Sequence, residues 1–395
     1  MFGDGWRQLA AEKADQPAIT TPDGVVTFRK LEERAAALSQ SGGEVVYASG
    51  HAVDVAAALI AGWSTGRIVH VLEADRAPHL PAIRPPDGTA LIKQTVGASG
   101  VRRCQFFTLA QVMADVDRMN AALKIGEHSA VVAPISMGHS YGLSAGVLQV
   151  LRHGVHLVWL PHPFPGPLSK ALENRGDVLL AGVPSLWKAW CMGGVRMNAV
   201  RTGASAGARL TVSLERRLRE TCDVKVRTLY GTSESGAVSL DMTADVRDSD
   251  EDVGELLPGV EVLANGGRIE VRSSSVGLGY DQCSAEDIFE GGRHLTWDLG
   301  KMREGRLRLQ GTCGAGINVA GRKLSPAEVA AKLRQSTGLA ITISGFRSRD
   351  PERCEELAAH VPLPASALTQ EFKAKACEHL APWEMPRRWL AAEDS

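Results

Sequence analysis

The sequence predicts an α/β fold in two domains, and three observations carry that prediction. Strand-like and helix-like stretches alternate from residue 25 to residue 229, which argues for a parallel sheet with helices on both faces. Residues 253–282 (VGELLPGVEVL…GLGYDQ) are strand-rich and broken by Gly and Pro turns. Ser325-Pro326-Ala327-Glu328 has the pattern of a capping box with proline at the first helical position, so a new helix is expected there. At 395 residues the chain is also longer than a single core usually grows.

Each element follows in order. Residues 6–14 read as a helix, 25–28 (VVTF) as a short strand and Lys30–Ser39 as an amphipathic helix. A strand over 44–49, a helix of small apolar residues over 51–64 and a strand over 67–72 continue the alternation. Residues 74–90 form a Pro-rich link, and 107–123 a long helix. A buried strand is expected at 155–160, and a strand with its helix at 178–190, where Trp187 and Trp190 share one helical face. A helix over 213–221 leads to a strand over 224–229. The acidic run Asp245–Asp252 reads as a solvated loop. After the capped helix, a strand over 340–346 and a helix at about 366–380 complete an α+β unit.

Composition excludes several classes of function. Net charge is −1 and the pI about 6.8, so neither nucleic acid nor an anionic membrane surface is an expected partner. The 7 cysteines are scattered without a C-x-x-C pair, so neither a disulfide framework nor a zinc site is indicated. The N-terminus lacks the pattern of a secretory signal, and no apolar run reaches transmembrane length. The expected compartment is the cytoplasm.

The chemistry gathers at residues 228–239, TLYGTSESGAVS. A β-prone end, Leu229 and Tyr230, runs into Gly231 and then Thr232, Ser233, Glu234 and Ser235. Backbone N–H groups and hydroxyls at such a turn suit phosphate oxygens, and the carboxylate suits a hard cation. Read alone, the stretch is equally a surface turn. Residues 91–103 (LIKQTVGASGVRR) offer a second Gly/Ser turn with Thr95, Gly97, Ser99 and Gly100, where glycines would let the backbone approach phosphates. That turn, too, reads as an ordinary loop by itself.

Taken together and in order, these stretches resemble the adenylate-forming superfamily of acyl-CoA and aryl-CoA ligases, luciferases and peptide-synthetase adenylation domains. Residues 228–239 resemble its Y-G-x-T-E signature, and 91–103 its T-S-G-T-T-G-x-P-K loop, with Arg103 in place of the lysine. Residues 130–145 are similar to P-L-F-H-x-Y-G, 198–210 to S-G-G-A-x-L, 294–300 (HLTWDLG) to T-G-D-L-G, and 306–329 to the hinge. The resemblance implies an N-terminal domain over 1–311, with a small β-barrel in its strand-rich part, and a truncated C-terminal domain over 312–395. It implies ATP, Mg2+ and CoA or phosphopantetheine as cofactors, with a carboxylic acid and CoA or an acyl carrier protein as partners. Glu234 would hold the metal, Asp298 the ribose, and Thr95, Ser99 and Thr232 phosphate oxygens. Gly97, Gly100, Tyr230 and Gly231 would complete the nucleotide site. Gly203, Ala204 and Ser205 would wall the base. Gly203 and Ala204, with His139 and Ser235, would also lie on the acid's side. Thr312, Gly314 and Asn318 depart from the hinge pattern, and the family's C-terminal lysine has no counterpart. Arg103 is therefore the expected electrophilic helper beside Glu234 and Thr232. The alternative expectation is an impaired relative that binds nucleotide or acyl-adenylate, or scaffolds a partner.

Overall fold

The computed structural model describes residues 2–40, 42–73, 79–96, 102–283, 287–313, 316–350 and 354–392. Its largest sheet has two halves that meet at the strand Val226–Thr232. On one side, Val200–Ser205, Val178–Gly182, Ala130–Ala133, Leu157–Trp159 and Pro17–Thr21 run parallel. On the other, Gly236–Leu240, Asp252–Leu256, Arg306–Thr312, Arg293–Arg303, Asn265–Ser273 and Val260–Leu263 are antiparallel. The strand-rich stretch of the sequence thus extends the parallel sheet edge-on.

The parallel half is covered on both faces, and its residues alternate between two cores as a period of two requires. Val131, Ala133, Leu179 and Ala181 pack on one side with Phe28, Leu59 and Leu91. Ala130, Val132, Val178 and Leu180 pack on the other with Trp187, Trp190 and Leu214. The two tryptophans are buried core residues, their rings 5.2 Å apart and edge-on.

The second sheet carries Val45–Ser49, Ile68–Leu72 and Thr89–Val96 in parallel, then Arg102–Thr108 antiparallel to the last. The stretch expected as a strand leading into a loop is therefore a hairpin, with its second arm (RRCQFFT) almost wholly buried. The helix Ala52–Ser64 covers this sheet and is buried on nearly every side, which its Ala-rich sequence permits.

Residues 317–389 build a core of their own from Ile317, Leu324, Val329, Leu333, Leu357 and Ala359. Ser325 caps the helix Pro326–Thr337 by accepting the Glu328 N–H. The Glu328 carboxylate reaches Arg102 at 3.1 Å. Half of the expected capping box is thus used for a link to the second sheet, and Lys188–Asp350 makes another link at 2.8 Å. The last helix is shorter than expected, Gln370–Ala376.

The acidic run is a loop whose Asp245 and Asp248 are exposed, as expected. Arg247 in its middle is nevertheless buried and paired with Glu215 at 2.8 Å, and Asp252 is buried at the start of a strand. The arginine lets the chain bury the Glu215 carboxylate, which would otherwise stay in water. Among the described residues no helix is long and apolar enough to cross a membrane.

Candidate active site

The turn after Val226–Thr232 is held by close approach. A side chain at Gly231 would meet the Gly236 carbonyl oxygen at 2.4 Å. Gly236 has φ +71°, and a Cβ there would lie 2.2 Å from Asp115 Oδ1. Buried Asp115 explains the crowding: it accepts the Ala237 N–H at 2.7 Å and the Ser144 hydroxyl at 2.8 Å. Thr232 Oγ1 accepts the Ser235 N–H at 3.1 Å across the turn.

Glu234 sits in this turn with its side chain on a cleft of about 1010 Å³. It is only 8% exposed, and Tyr280 donates its hydroxyl to Glu234 Oε1. Burial pushes the carboxyl up, but His294, the Tyr280 hydroxyl and Lys323 outweigh it, so Glu234 ionises below its ordinary range. Burial, reinforced by the Glu234 charge, holds Tyr280 protonated well above its ordinary value.

Asp298, on the strand Arg293–Arg303, faces the same cleft. Tyr230 donates its hydroxyl to Asp298 Oδ2 at 2.9 Å. Burial, then the Asp298 charge, raises the Tyr230 pKa well above its usual value, so it stays a donor. The second carboxylate oxygen keeps its acceptor capacity. Two acids far apart in sequence thus meet across one cleft at the carboxyl end of the parallel strands, where open α/β sheets bind ligands.

Thr95, His139, Tyr230, Gly231 and Thr232 also line this cleft. His139 sits at the N-cap position of the helix Ser140–Ala145, with Nδ1 3.5 Å from Glu73 Oε1. Gly97, Ser99 and Gly100 lie outside the described residues.

Five expected positions are corrected. Gly203, Ala204 and Ser205 belong to a strand covered on both faces, and the wall is made by residues 206–211 beyond its end. Gly203 packs on Trp187, where a Cβ would come within 3.0 Å. The Ala204 carbonyl accepts the Tyr141 hydroxyl at 3.1 Å. Ser205 is fully buried. Ser235 is also fully buried and bonds His294 Nδ1 at 2.9 Å. Arg103 does not reach the cleft. Its guanidinium pairs with Asp287 at 2.5 Å and lies 3.8 Å over the Tyr280 ring. Since Tyr280 bonds Glu234, Arg103 is a positioning residue for that carboxylate.

Cations line the cleft from both sides: Arg209 and Arg247 from the large-sheet part, and Arg322, Lys323, Arg347 and Arg387 from the part of the chain after residue 312. Lys323 is on the strand Arg322–Leu324, opposite Asn318. The signal in the sequence was the pair Arg322-Lys323 between a glycine and the helix cap (GRKLSP).

The sequence profile of the AMP-binding enzyme family matches residues 50–280. A 3,4-dihydroxybenzoate–[aryl-carrier protein] ligase of Bacillus anthracis is 26% identical over 69% of this chain and 62% of its own length. A long-chain-fatty-acid–CoA ligase of Bacillus subtilis is 23% identical over 78% of this chain and 59% of its own. The match therefore spans about six-tenths of the length of these two curated relatives. A malonyl-CoA ligase structure with methylmalonyl-CoA and AMP bound has a TM-score of 0.80 at 21% identity, covering 97% of both chains. An amide bond synthetase from Marinactinospora thermotolerans has a TM-score of 0.77 at 20% identity, covering 98% of this chain and 95% of that one. The match spans more than half of the chain and includes the turn that carries Glu234, and on that ground the protein belongs to the family of AMP-binding enzymes.

Proposed function

We propose that the protein activates a carboxylic acid with ATP as an acyl-adenylate and passes the acyl group to a thiol, of CoA or of a carrier protein's phosphopantetheine. The observation that carries this reading is that Glu234 and Asp298, from the large sheet, line one cleft together with cations that include Lys323 from the part after residue 312. A triphosphate with its ribose and a metal needs those groups: cations for phosphate oxygens, one carboxylate for hydroxyls and one for a cation. In this reading residues 1–311 and 312–395 are two domains that share the site, in the cytoplasm.

Asp298 accepts ribose hydroxyls through the oxygen that Tyr230 leaves free. Lys323 neutralises phosphate charge as the acid's carboxylate oxygen attacks the α-phosphorus and pyrophosphate leaves. In the second step the thiol sulfur attacks the acyl carbon, and AMP departs. The residues fit a magnesium ion: Glu234 is kept ionised and Thr232 lies beside it, both hard oxygen donors. When bound, Mg2+ supplies charge that offsets the phosphates.

Magnesium-dependent pyrophosphate release across a panel of carboxylic acids tests the reading, with Glu234→Gln as the control. Turnover with at least one acid, lost in the variant, is expected. Full turnover by Glu234→Gln would remove the metal assignment. ATP bound in calorimetry, with no release for any acid, would turn the conclusion to a binding module. That second reading draws on the burial of Arg103, which takes the expected cation away from the phosphates.

A further inference from the structure

Outside the cleft, four side chains from four separate segments converge behind the second sheet. His79 lies in the Pro-rich link, Cys104 is on the strand Arg102–Thr108, and Asp281 follows the short strand Gly279–Tyr280. One ligand atom from each of these three lies within 4.8 Å of the others. His70, on Ile68–Leu72, stands beside this group, with Nε2 4.0 Å from Cys104 Sγ. We propose that His70, His79, Cys104 and Asp281 form a closed structural site for a zinc-class divalent ion.

The donors suit that class. Two imidazoles, a thiolate and a carboxylate make a four-coordinate borderline-soft set, whereas magnesium or calcium would call for oxygen alone. A site with all four positions filled by protein is structural, since catalysis needs an open position.

The Cys104 thiol donates to the His79 carbonyl oxygen at 3.3 Å, but the two imidazoles are poorly satisfied. His79 Nε2 is a buried atom without a hydrogen-bond partner, and it lies 3.7 Å from Asp281 Oδ2. His70 is fully buried, and its Nδ1 has no partner either. Asp281 is a fixed anchor: Oδ1 accepts the Cys104 N–H at 2.8 Å and Oδ2 the Ala82 N–H at 3.0 Å. Each oxygen retains a lone pair for a metal. Ile92 and Phe106 pack with Cys104, so one side of the site is dry, and His79, whose side chain is 29% exposed, marks the entry path.

Such a site would pin residues 79–82 to the sheet immediately next to Arg103, the residue that positions Tyr280 and Glu234. It would therefore set the rigidity of the nucleotide side of the cleft without touching substrate.

Cobalt(II) is the probe, added to the full-length protein after chelator dialysis. Binding of one Co2+ per chain is expected, with the visible bands of four-coordinate cobalt and a near-ultraviolet thiolate charge-transfer band. Zinc should displace it. Both spectral features should vanish in Cys104→Ala and weaken in His79→Ala, with unchanged far-ultraviolet circular dichroism, and persist in Glu234→Gln. No cobalt spectrum in the unmodified protein would overturn the proposal. So would a spectrum that survives Cys104→Ala, or a weak six-coordinate one without the thiolate band. If Cys104→Ala does not fold, X-ray absorption on the zinc-loaded unmodified protein decides: one sulfur at about 2.3 Å with nitrogen or oxygen at about 2.0–2.2 Å supports the site, and a sulfur-free shell refutes it.

Discussion

Asp298 and Glu234 reach the cleft with different partners, and the partners set what each can do. Asp298 meets a single phenol, from Tyr230, and has acceptor capacity to spare. We expect Asp298→Ala to weaken ATP binding by about 10–100-fold, from the roughly 1.5–3 kcal/mol of a hydrogen bond to a charged group. Substitution of Thr95 should cost less. Calorimetric titration checks this, and an Asp298→Ala variant with the parent's affinity would remove the ribose assignment. The two cations linked to Glu234 should separate cleanly. Lys323→Ala should slow pyrophosphate release about 10²–10³-fold, as loss of one electrostatic donor does, while leaving the melting temperature unchanged. Arg103→Ala should instead destabilise the fold by about 3–5 kcal/mol, because it removes one partner of a buried ion pair with Asp287. Thermal melts and turnover measured side by side decide. The reverse pattern would return the catalytic role to Arg103.

Among the elements, the edge of the parallel half contains a pH-sensitive joint. His156 precedes the strand Leu157–Trp159, and its Nε2 lies 2.8 Å from the Thr20 hydroxyl on Pro17–Thr21. Burial, with help from Arg175, lowers its pKa to about 4. In the unfolded chain the ring takes its proton near 6.5, but in the fold it resists until about 4. The unfolded state therefore binds more protons across that window. This contribution to stability is complete above pH 6.5 and is lost as pH falls through 4. His156→Gln keeps an amide for Thr20 and removes the titration. Its melting temperature should fall less between pH 6.5 and 4 than the parent's, and parallel melting curves would refute the assignment.

At the scale of the whole molecule, the cleft is lined by residues on both sides of a separately packed core after residue 312, and two ion pairs are among the links between the two parts. Arg102–Glu328 and Lys188–Asp350 are partly exposed ion pairs, of a kind usually worth about 0–1 kcal/mol each. Replacing Arg102 and Lys188 together by alanine should therefore move the melting temperature by no more than about 4 °C. The radius of gyration from small-angle scattering should rise, because weakly tied bodies separate when the ties go. A large drop in melting temperature at constant radius would show that the two bodies melt as one. Lys323 and the other cleft cations after residue 312 would leave with the second body, so pyrophosphate release should fall alongside.

Local rules determined most of the elements. Short apolar runs alternating with helical stretches marked the parallel strands, because both faces of those strands enter a core. The Ser325 cap was legible because one hydroxyl and one N–H settle it within four residues. Glu234 and Asp298 were legible because each lies within a short, ordered motif. Tertiary structure decided what those motifs could not contain. Whether Arg103 meets a phosphate or a buried carboxylate depends on Asp287, 184 residues away. Whether Gly203–Ser205 face a ligand depends on how far the central strand runs before its end opens. Lys323 shares a cleft with Glu234 only because segments far apart in the chain line it together, and His70, His79, Cys104 and Asp281 come near one another only because a sheet and a link bring four segments together. Burial and charge act through space, and no spacing along the chain records them.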